Sequence, residues 1–174
     1  MARMKRLFSA DEIADRIDAM AADIARDHAD TNELVLVAVL LGGLLFAADL
    51  GRALYRRRVD VRLETLRLSS YGNERRSTGA VEIVHDLSID PTGRRFLLAD
   101  DVLDSGGSLA FARAHLLAKG AASVSAAVLA DKKIAGRGAE ADYVGFICDK
   151  DDFLVGYGMD DAGRARFRPD VVAL

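Results

Sequence analysis

With 174 residues, 51% of them hydrophobic and 29% charged, the chain is expected to form a single domain over residues 1–174 with a true core, and disorder or a coiled-coil rod is excluded. A formal net charge of −3, from 24 basic and 27 acidic side chains, leaves no global basic field to recruit nucleic acid. One cysteine, Cys148, cannot build an internal disulfide framework, and no Cys/His spacing suggests zinc.

Residues 1–8 lack an apolar signal core, so a cytoplasmic protein is expected. Ser9-Ala10-Asp11-Glu12 has the form of a capping box. Behind it Ile13, Ile17, Met20 and Ile24 recur at helical spacing and predict an amphipathic surface helix over residues 10–28. Leu34–Leu40 is a run suited to a buried strand, and Gly42-Gly43 turns it into a second helix ending near Arg57. Residues 34–50 are the most apolar stretch, but Gly42, Gly43 and Asp49 interrupt it and it is too short to span a membrane. Arg56, Arg57 and Arg58 fall at that helix's C-terminus, where cations suit the dipole, and read as a solvated helix end rather than a nucleic-acid patch. Residues 59–68 alternate as a strand does. The polar stretch 69–79 is either an idle connection or a lid, and a strand over residues 80–85 follows it. His85 reads as a packed or solvated strand histidine, while His28 and His115 have no partner that spacing identifies.

The chemistry gathers on residues 96–110. Phe96, Leu97, Leu98 and Ala99 look like a strand buried on both faces, and Asp100 and Asp101 follow where that strand should end. Asp104 and Ser105-Gly106-Gly107-Ser108 come next, then an apolar pattern suited to a helix. Strand, polar turn and helix N-terminus bind anions in open α/β sheets, beyond the carboxyl ends of the strands. Ser105, Gly106, Gly107 and Ser108 are therefore candidates to hold a phosphate, the glycines by letting backbone approach and the serines by adding hydroxyl donors. Carboxylates beside such a cradle would repel the phosphate unless hydroxyls or a cation lie between them. A ribose with Mg²⁺ meets that need, with Asp100 and Asp101 accepting from the 2′ and 3′ hydroxyls. The plainer alternative is a βα turn with solvated aspartates; three acids and two glycines within eight residues weigh against it.

The next helix should end near Lys119-Gly120, a basic last turn with a capping glycine. Residues 124–129 form another core strand, with Asp131-Lys132-Lys133 at its carboxyl end; a loop over 134–141 leads to a strand at Tyr143–Ile147. Strands alternating with helices predict an α/β fold, a twisted, mainly parallel sheet flanked by helices. On such a sheet Leu41, Gly42 and Gly43 end the first strand, where backbone N–H groups can hold a diphosphate. Lys132 can reach a ligand carbonyl, Phe153 and Tyr157 offer flat faces to a heteroaromatic base, and Asp160 is a candidate Mg²⁺ ligand. Each also has a plain alternative: surface charge for Lys132, core aromatics for Phe153 and Tyr157, a tight turn for Gly42-Gly43.

Residues 96–108 resemble the phosphoribosyl-diphosphate motif of the type I phosphoribosyltransferases. From residue 37 to residue 169 the chain resembles one branch of them, the bacterial hypoxanthine (hypoxanthine-guanine) phosphoribosyltransferases. The resemblance rests on Gly42-Gly43-Leu44-Leu45-Phe46-Ala47-Ala48-Asp49, on Arg67-Leu68-Ser69-Ser70-Tyr71-Gly72-Asn73 with Ser77-Thr78-Gly79, and on Leu129-Ala130-Asp131-Lys132. It continues in Asp142-Tyr143-Val144-Gly145-Phe146 and in residues 152–160.

The resemblance implies the type I fold with a small hood from the chain ends. It implies transfer of the 5-phosphoribosyl group from phosphoribosyl diphosphate to N9 of hypoxanthine or guanine, with Mg²⁺ as cofactor. Asp100 and Asp101 would bind the ribose hydroxyls, and Asp104, Ser105, Gly106, Gly107 and Ser108 the 5′-phosphate. Asp104 would also sit by purine N7 as the proton acceptor. Lys132 would donate to the 6-oxo group, Phe153 would stack on the base, and the Leu154 backbone would meet its 2-position. Leu41, Gly42 and Arg166 would contact diphosphate, and Asp160 with Asp100 and Asp101 would hold the metal. Ser70 and Tyr71 would belong to a mobile loop that closes over the reacting centre, in a homodimer or homotetramer. Two positions depart from the pattern. Leu41 stands where many relatives carry Lys before the two glycines, and Gly107 replaces a bulkier residue. Two rival functions fit less well. An RNA-binding regulator on this fold would need a basic face. A metal-dependent phosphatase or prenyl synthase would place its acids elsewhere than after a buried strand.

Overall fold

A computed structural model describes residues 4–30, 33–71 and 80–174. Strand β1 (Lys5–Phe8) leads into helix α1 (Ala10–Asp27), which opens on the capping box: Glu12 N–H donates to Ser9 Oγ at 3.3 Å, and Ser9 N–H to Glu12 Oε2 at 2.8 Å. Ile13, Ile17, Met20 and Ile24 are buried along one stripe of α1. Each contributes roughly 1.5–3 kcal/mol by leaving water, which holds an otherwise charged helix to the sheet. Arg16, on the same helix, donates to the carbonyls of Val144 at 2.6 Å and Gly145 at 2.7 Å.

Strand β2 (Leu34–Leu40), helix α2 (Gly43–Arg56) and strand β3 (Val61–Tyr71) follow, and β4 (Ala80–His85) returns antiparallel to β3. Then come β5 (Arg95–Leu103), α3 (Gly107–Ala118), β6 (Ser123–Asp131) and β7 (Tyr143–Ile147). The main sheet has the order β4-β3-β2-β5-β6-β7 and is parallel from β3 to β7. The chain lays down β2, moves outward to β3 and β4, then returns to place β5 on the other side of β2. Strand order reverses between β2 and β5, so a ligand crevice belongs beyond their carboxyl ends.

Both faces of β2 are apolar because both are covered. Leu34, Leu36 and Ala38 pack with α1 and α2, while Val35 and Val37 pack with Leu109, Ala112 and Leu116 of α3. A second, antiparallel sheet of order β1-β9-β8, with β8 at Leu154–Val155 and β9 at Val171–Ala173, is the small hood expected from the chain ends. Phe8 ties it to the main sheet by stacking on Phe146, ring centroids 3.9 Å apart.

Two strand boundaries differ from the sequence expectation. β3 runs over Val61–Tyr71 rather than residues 59–68, because β4 pairs with its far end at Leu68, Ser69, Ser70 and Tyr71. β5 does not stop before the acids but continues through Asp100 and Asp101 to Leu103. Strand β6 runs alongside and pairs Asp100 with Val128, Val102 with Ala130 and Leu103 with Asp131. Ladder hydrogen bonds from a neighbour thus carry the strand past side chains that locally signal its end.

Candidate active site

A cavity of about 270 Å³ opens beyond the carboxyl ends of β2 and β5, lined by Gly42, Asp100, Asp101, Asp104 and the turn Ser105, Gly106, Gly107, Ser108. Asp104, Ser105 and Gly106 form the turn itself, and α3 starts at Gly107. Gly106 has φ +76° and faces Ala139 so closely that a Cβ there would lie 2.7 Å from the Ala139 nitrogen. The N-cap Gly106 has no side chain to cap α3, and apart from a long bond from Gly107 N–H to Ser105 Oγ at 3.5 Å the N–H groups of the first helical turn lack intrahelical acceptors and can meet an anion.

Asp100 and Asp101 stand side by side on β5. Asp101 N–H donates to Asp100 Oδ1 at 2.9 Å and Val102 N–H to Asp101 Oδ1 at 2.8 Å, which fixes both carboxylates. Burial, then the charge of Asp101, pushes the Asp100 carboxyl well above the usual carboxylate range. Burial raises Asp101 as well, against the opposing pull of its hydrogen bonds and of Arg166. Two adjacent carboxylates this poorly solvated suit ligands that donate hydroxyl hydrogens or bring positive charge. They fit Mg²⁺ too, a hard cation that takes one or two carboxylates and completes its shell with water and substrate phosphate.

The residues expected to contact diphosphate come together. A Cβ on Gly42 would lie 1.9 Å from Asp101 Oδ2, and one on Gly158 would lie 2.1 Å from the Gly42 oxygen, so the three residues are stacked in contact. Arg166 reaches into this stack, donating from Nη1 to the Gly158 oxygen at 2.6 Å and pairing through Nη2 with Asp160 Oδ1 at 2.6 Å. Leu41 precedes them, half-exposed and following a cis peptide bond from Leu40.

At the other side of the turn, Lys132 Nζ lies 3.6 Å from Asp104 Oδ2. The Lys132 side chain is 13% exposed and that of Asp104 56%, so the ammonium is set into the wall and the carboxylate projects into the opening. Phe153, half-exposed, leads into β8 of the hood and its carbonyl accepts from Leu174 N–H at 3.0 Å, while Leu154 beside it is buried and pairs with Ala173.

Two expectations change, and a third falls outside the described residues. Tyr157 is no stacking surface: it is buried, has φ +47°, and donates its hydroxyl to Asp49 Oδ2 at 2.5 Å. Asp160 is engaged by Arg166 and by Gly163 N–H rather than gathered with Asp100 and Asp101, and among the described residues no three His, Cys, Asp or Glu side chains cluster as a metal site. Ser70 and Tyr71 end β3 in backbone, but their side chains and residues 72–79, where the closing loop was expected, lie outside the described residues. Sequence reasoning also missed Arg137, whose side chain is 3% exposed and pairs with Asp131, a residue adjoining Lys132. A lone arginine in a loop otherwise rich in small residues was its only signal.

Comparison with known proteins agrees with this geometry. The phosphoribosyl transferase domain family matches residues 4–162. The hypoxanthine-guanine phosphoribosyltransferase of Aquifex aeolicus is 36% identical over 97% of this chain and 93% of its own length. That of Bacillus subtilis is 37% identical over 98% of this chain and 92% of its own. Among solved structures, a Trypanosoma cruzi hypoxanthine phosphoribosyl transferase superposes with a TM-score of 0.90 at 35% identity, covering 98% of this chain and 90% of that one. A Bacillus anthracis hypoxanthine-guanine phosphoribosyltransferase superposes with a TM-score of 0.87 at 33% identity and covers 98% of each chain. With a serine-glycine turn at the strand-order reversal, paired carboxylates beside it and relatives matching nearly end to end, the chain belongs to the phosphoribosyltransferases, in their hypoxanthine-guanine branch.

Proposed function

We propose that this site moves the 5-phosphoribosyl group from phosphoribosyl diphosphate to N9 of hypoxanthine or guanine, releasing diphosphate. The observation that carries the proposal is the 3.6 Å pairing of Lys132 Nζ with Asp104 Oδ2 at the rim of the phosphate turn. A 6-oxopurine presents O6, an acceptor, beside N7, which can carry a proton. An ammonium and a carboxylate at that separation match the two together: Lys132 donates to O6 and Asp104 holds the N7 proton. Adenine places an amino donor opposite Lys132, which leaves a buried donor unpaired.

In the reaction the C1′–oxygen bond to diphosphate breaks with oxocarbenium character at C1′, and N9 forms the new bond from the opposite face. Asp100 and Asp101 accept from the ribose hydroxyls and orient the sugar. The turn Ser105 to Ser108 and the α3 N-terminus anchor the 5′-phosphate. Gly42 backbone and Arg166 stabilise the leaving diphosphate, and Asp104 takes up the purine proton as the C–N bond forms. Asp100 and Asp101 would be among the residues that hold Mg²⁺, which would supply charge neutralisation on the diphosphate. Phe153 stacks on the base and the Leu154 backbone meets its 2-position. We infer a homodimer or homotetramer, supported by two aromatics left in the open, Tyr55 at 70% and Phe167 at 89% exposure. Among the described residues no helix is long and apolar enough to cross a membrane.

The test is turnover of hypoxanthine, guanine, adenine and uracil in parallel with phosphoribosyl diphosphate and Mg²⁺. The expected result is nucleotide from the oxopurines and none from adenine or uracil. In the same assay Lys132→Met should lose about 1.5–3 kcal/mol of oxopurine recognition in kcat/KM, the worth of a hydrogen bond from a charged donor. Robust adenine turnover by the wild type, or oxopurine kinetics unchanged in the variant, would remove the role given to Lys132.

A further inference from the structure

We infer, on the footing of the function proposed above, that Asp131 and Arg137 are a buried positioning pair that sets Lys132 against the phosphate turn. The Asp131 side chain is fully buried and that of Arg137 is 3% exposed. Arg137 engages both carboxylate oxygens, Nη1 on Oδ1 and Nη2 on Oδ2 at 3.1 Å, while its Nε donates to Glu140 Oε1 at 2.9 Å. A buried ion pair returns little net stability, because desolvating both charges consumes what their attraction supplies. What it supplies here is geometry.

Lys132 lies between two residues that are both anchored to the Asp131 carboxylate. One is Asp131 itself. The other is Lys133, whose N–H donates to Oδ1 at 2.8 Å and whose ammonium stands 2.9 Å from Oδ2. Lys133 is held at φ +49°, a left-handed conformation that a side chain with a Cβ adopts only when its surroundings impose it. That turn of the backbone, fixed by Asp131, is what carries Lys132 Nζ to within 3.6 Å of Asp104.

The same loop then folds back onto the phosphate turn. Lys132 N–H donates to the Leu103 oxygen at 3.1 Å, and Gly138 N–H to the Ser105 oxygen at 2.8 Å. These two backbone bonds bracket Asp104, and the Asp131–Arg137 pair braces the span of chain between their donors. Base recognition and phosphate recognition therefore share one mechanical support. Loosening it should displace both, so the KM values for purine and for phosphoribosyl diphosphate should rise together.

Arg137→Lys keeps the charge and removes the two-pronged fork, and Asp131→Asn removes the charge it grips. Glu140→Gln alters only the outer, 71% exposed partner. In Arg137→Lys both KM values are expected to rise about ten-fold or more while kcat falls by less, since misplacing ligand contacts by a fraction of an ångström is costly. Asp131→Asn should do at least as much, and Glu140→Gln should stay within about two-fold, as surface ion pairs contribute little. A purely structural pair would lower the active fraction and the melting temperature without moving either KM. That pattern, or an Arg137→Lys enzyme with both KM values at wild-type level, overturns the inference. If Asp131→Asn does not fold, Arg137→Lys decides alone. If the wild type turns over no oxopurine, the functional reading fails instead, and hydrogen exchange over residues 103–108 still judges the brace: faster exchange in Arg137→Lys supports it, unchanged exchange overturns it.

Discussion

An Asp104→Asn enzyme is expected to lose about 10²–10⁴ in kcat, the range a positioned general base contributes, with its affinity for phosphoribosyl diphosphate nearly intact. The asymmetry follows from where the acids sit. Asp100 and Asp101 belong to β5, half-buried and tied by backbone N–H groups, whereas Asp104 projects from the turn with Lys132 across from it. Asn preserves the shape of Asp104 and one acceptor for Lys132, so the wall of the site should not move. It removes the charge proposed to take the purine proton. Asp101→Asn is the instructive contrast. Its carboxylate presses on Gly42 and accepts from Val102 N–H, so its loss should fall on sugar-phosphate binding. Steady-state kinetics on both variants, with direct titration of phosphoribosyl diphosphate, separates the two. An Asp104→Asn enzyme turning over within a few-fold of wild type would show that the proton leaves by another route.

Local sequence carried much of this site and little of what braces it. The run Leu34–Leu40 and the Ser9 to Glu12 capping box each contain their own structural instruction within a few residues, and each appears as read. What was not legible depends on partners far away in the chain. β5 passes through two aspartates because β6 lies beside it, a fact of pairing that no window around Asp100 contains. Arg57 reads as a solvated helix end yet meets Asp18 at 2.6 Å on another helix. Spacing identifies no partner for His115, and it bonds Asp86 at 3.0 Å from across a strand-to-helix gap. Tyr157 offered a ring that looked suited to stacking. Its hydroxyl instead finds Asp49 on α2, and burial does the rest. Motif residues that face a ligand are conspicuous because their chemistry is out of place locally. Residues that hold them, such as Asp131 and Arg137, look ordinary until the fold brings them together.

Gly42→Ala should cost the most in sugar-phosphate binding. The backbone at Gly42 has φ −57° and ψ −43°, a conformation open to any residue, so conformation does not demand glycine there. Space does. The added methyl would fall 1.9 Å from Asp101 Oδ2 and 2.4 Å from its Cγ, far inside contact distance. Nor can the turn back away, because the Gly42 oxygen already abuts Gly158, whose own oxygen holds Arg166. Either the Asp101 carboxylate swings off its proposed place at the ribose or the Leu41–Gly42 turn shifts against Arg166, the proposed diphosphate contact. A misplacement of roughly 1 Å costs on the order of 10²-fold, so the KM for phosphoribosyl diphosphate should rise by about that factor. The purine KM should change far less, since Lys132 follows β6 and Phe153 precedes β8, away from the insertion. Leu41→Ala is the matching control: its side chain is 49% exposed, and only backbone is assigned to the ligand there, so it should stay near wild type. Kinetics at varied phosphoribosyl diphosphate, with binding measured directly on each variant, reads both. A Gly42→Ala enzyme with an unshifted KM would mean that the carboxylate can move aside freely, and that the contact between these two strand ends does not set the position of the sugar.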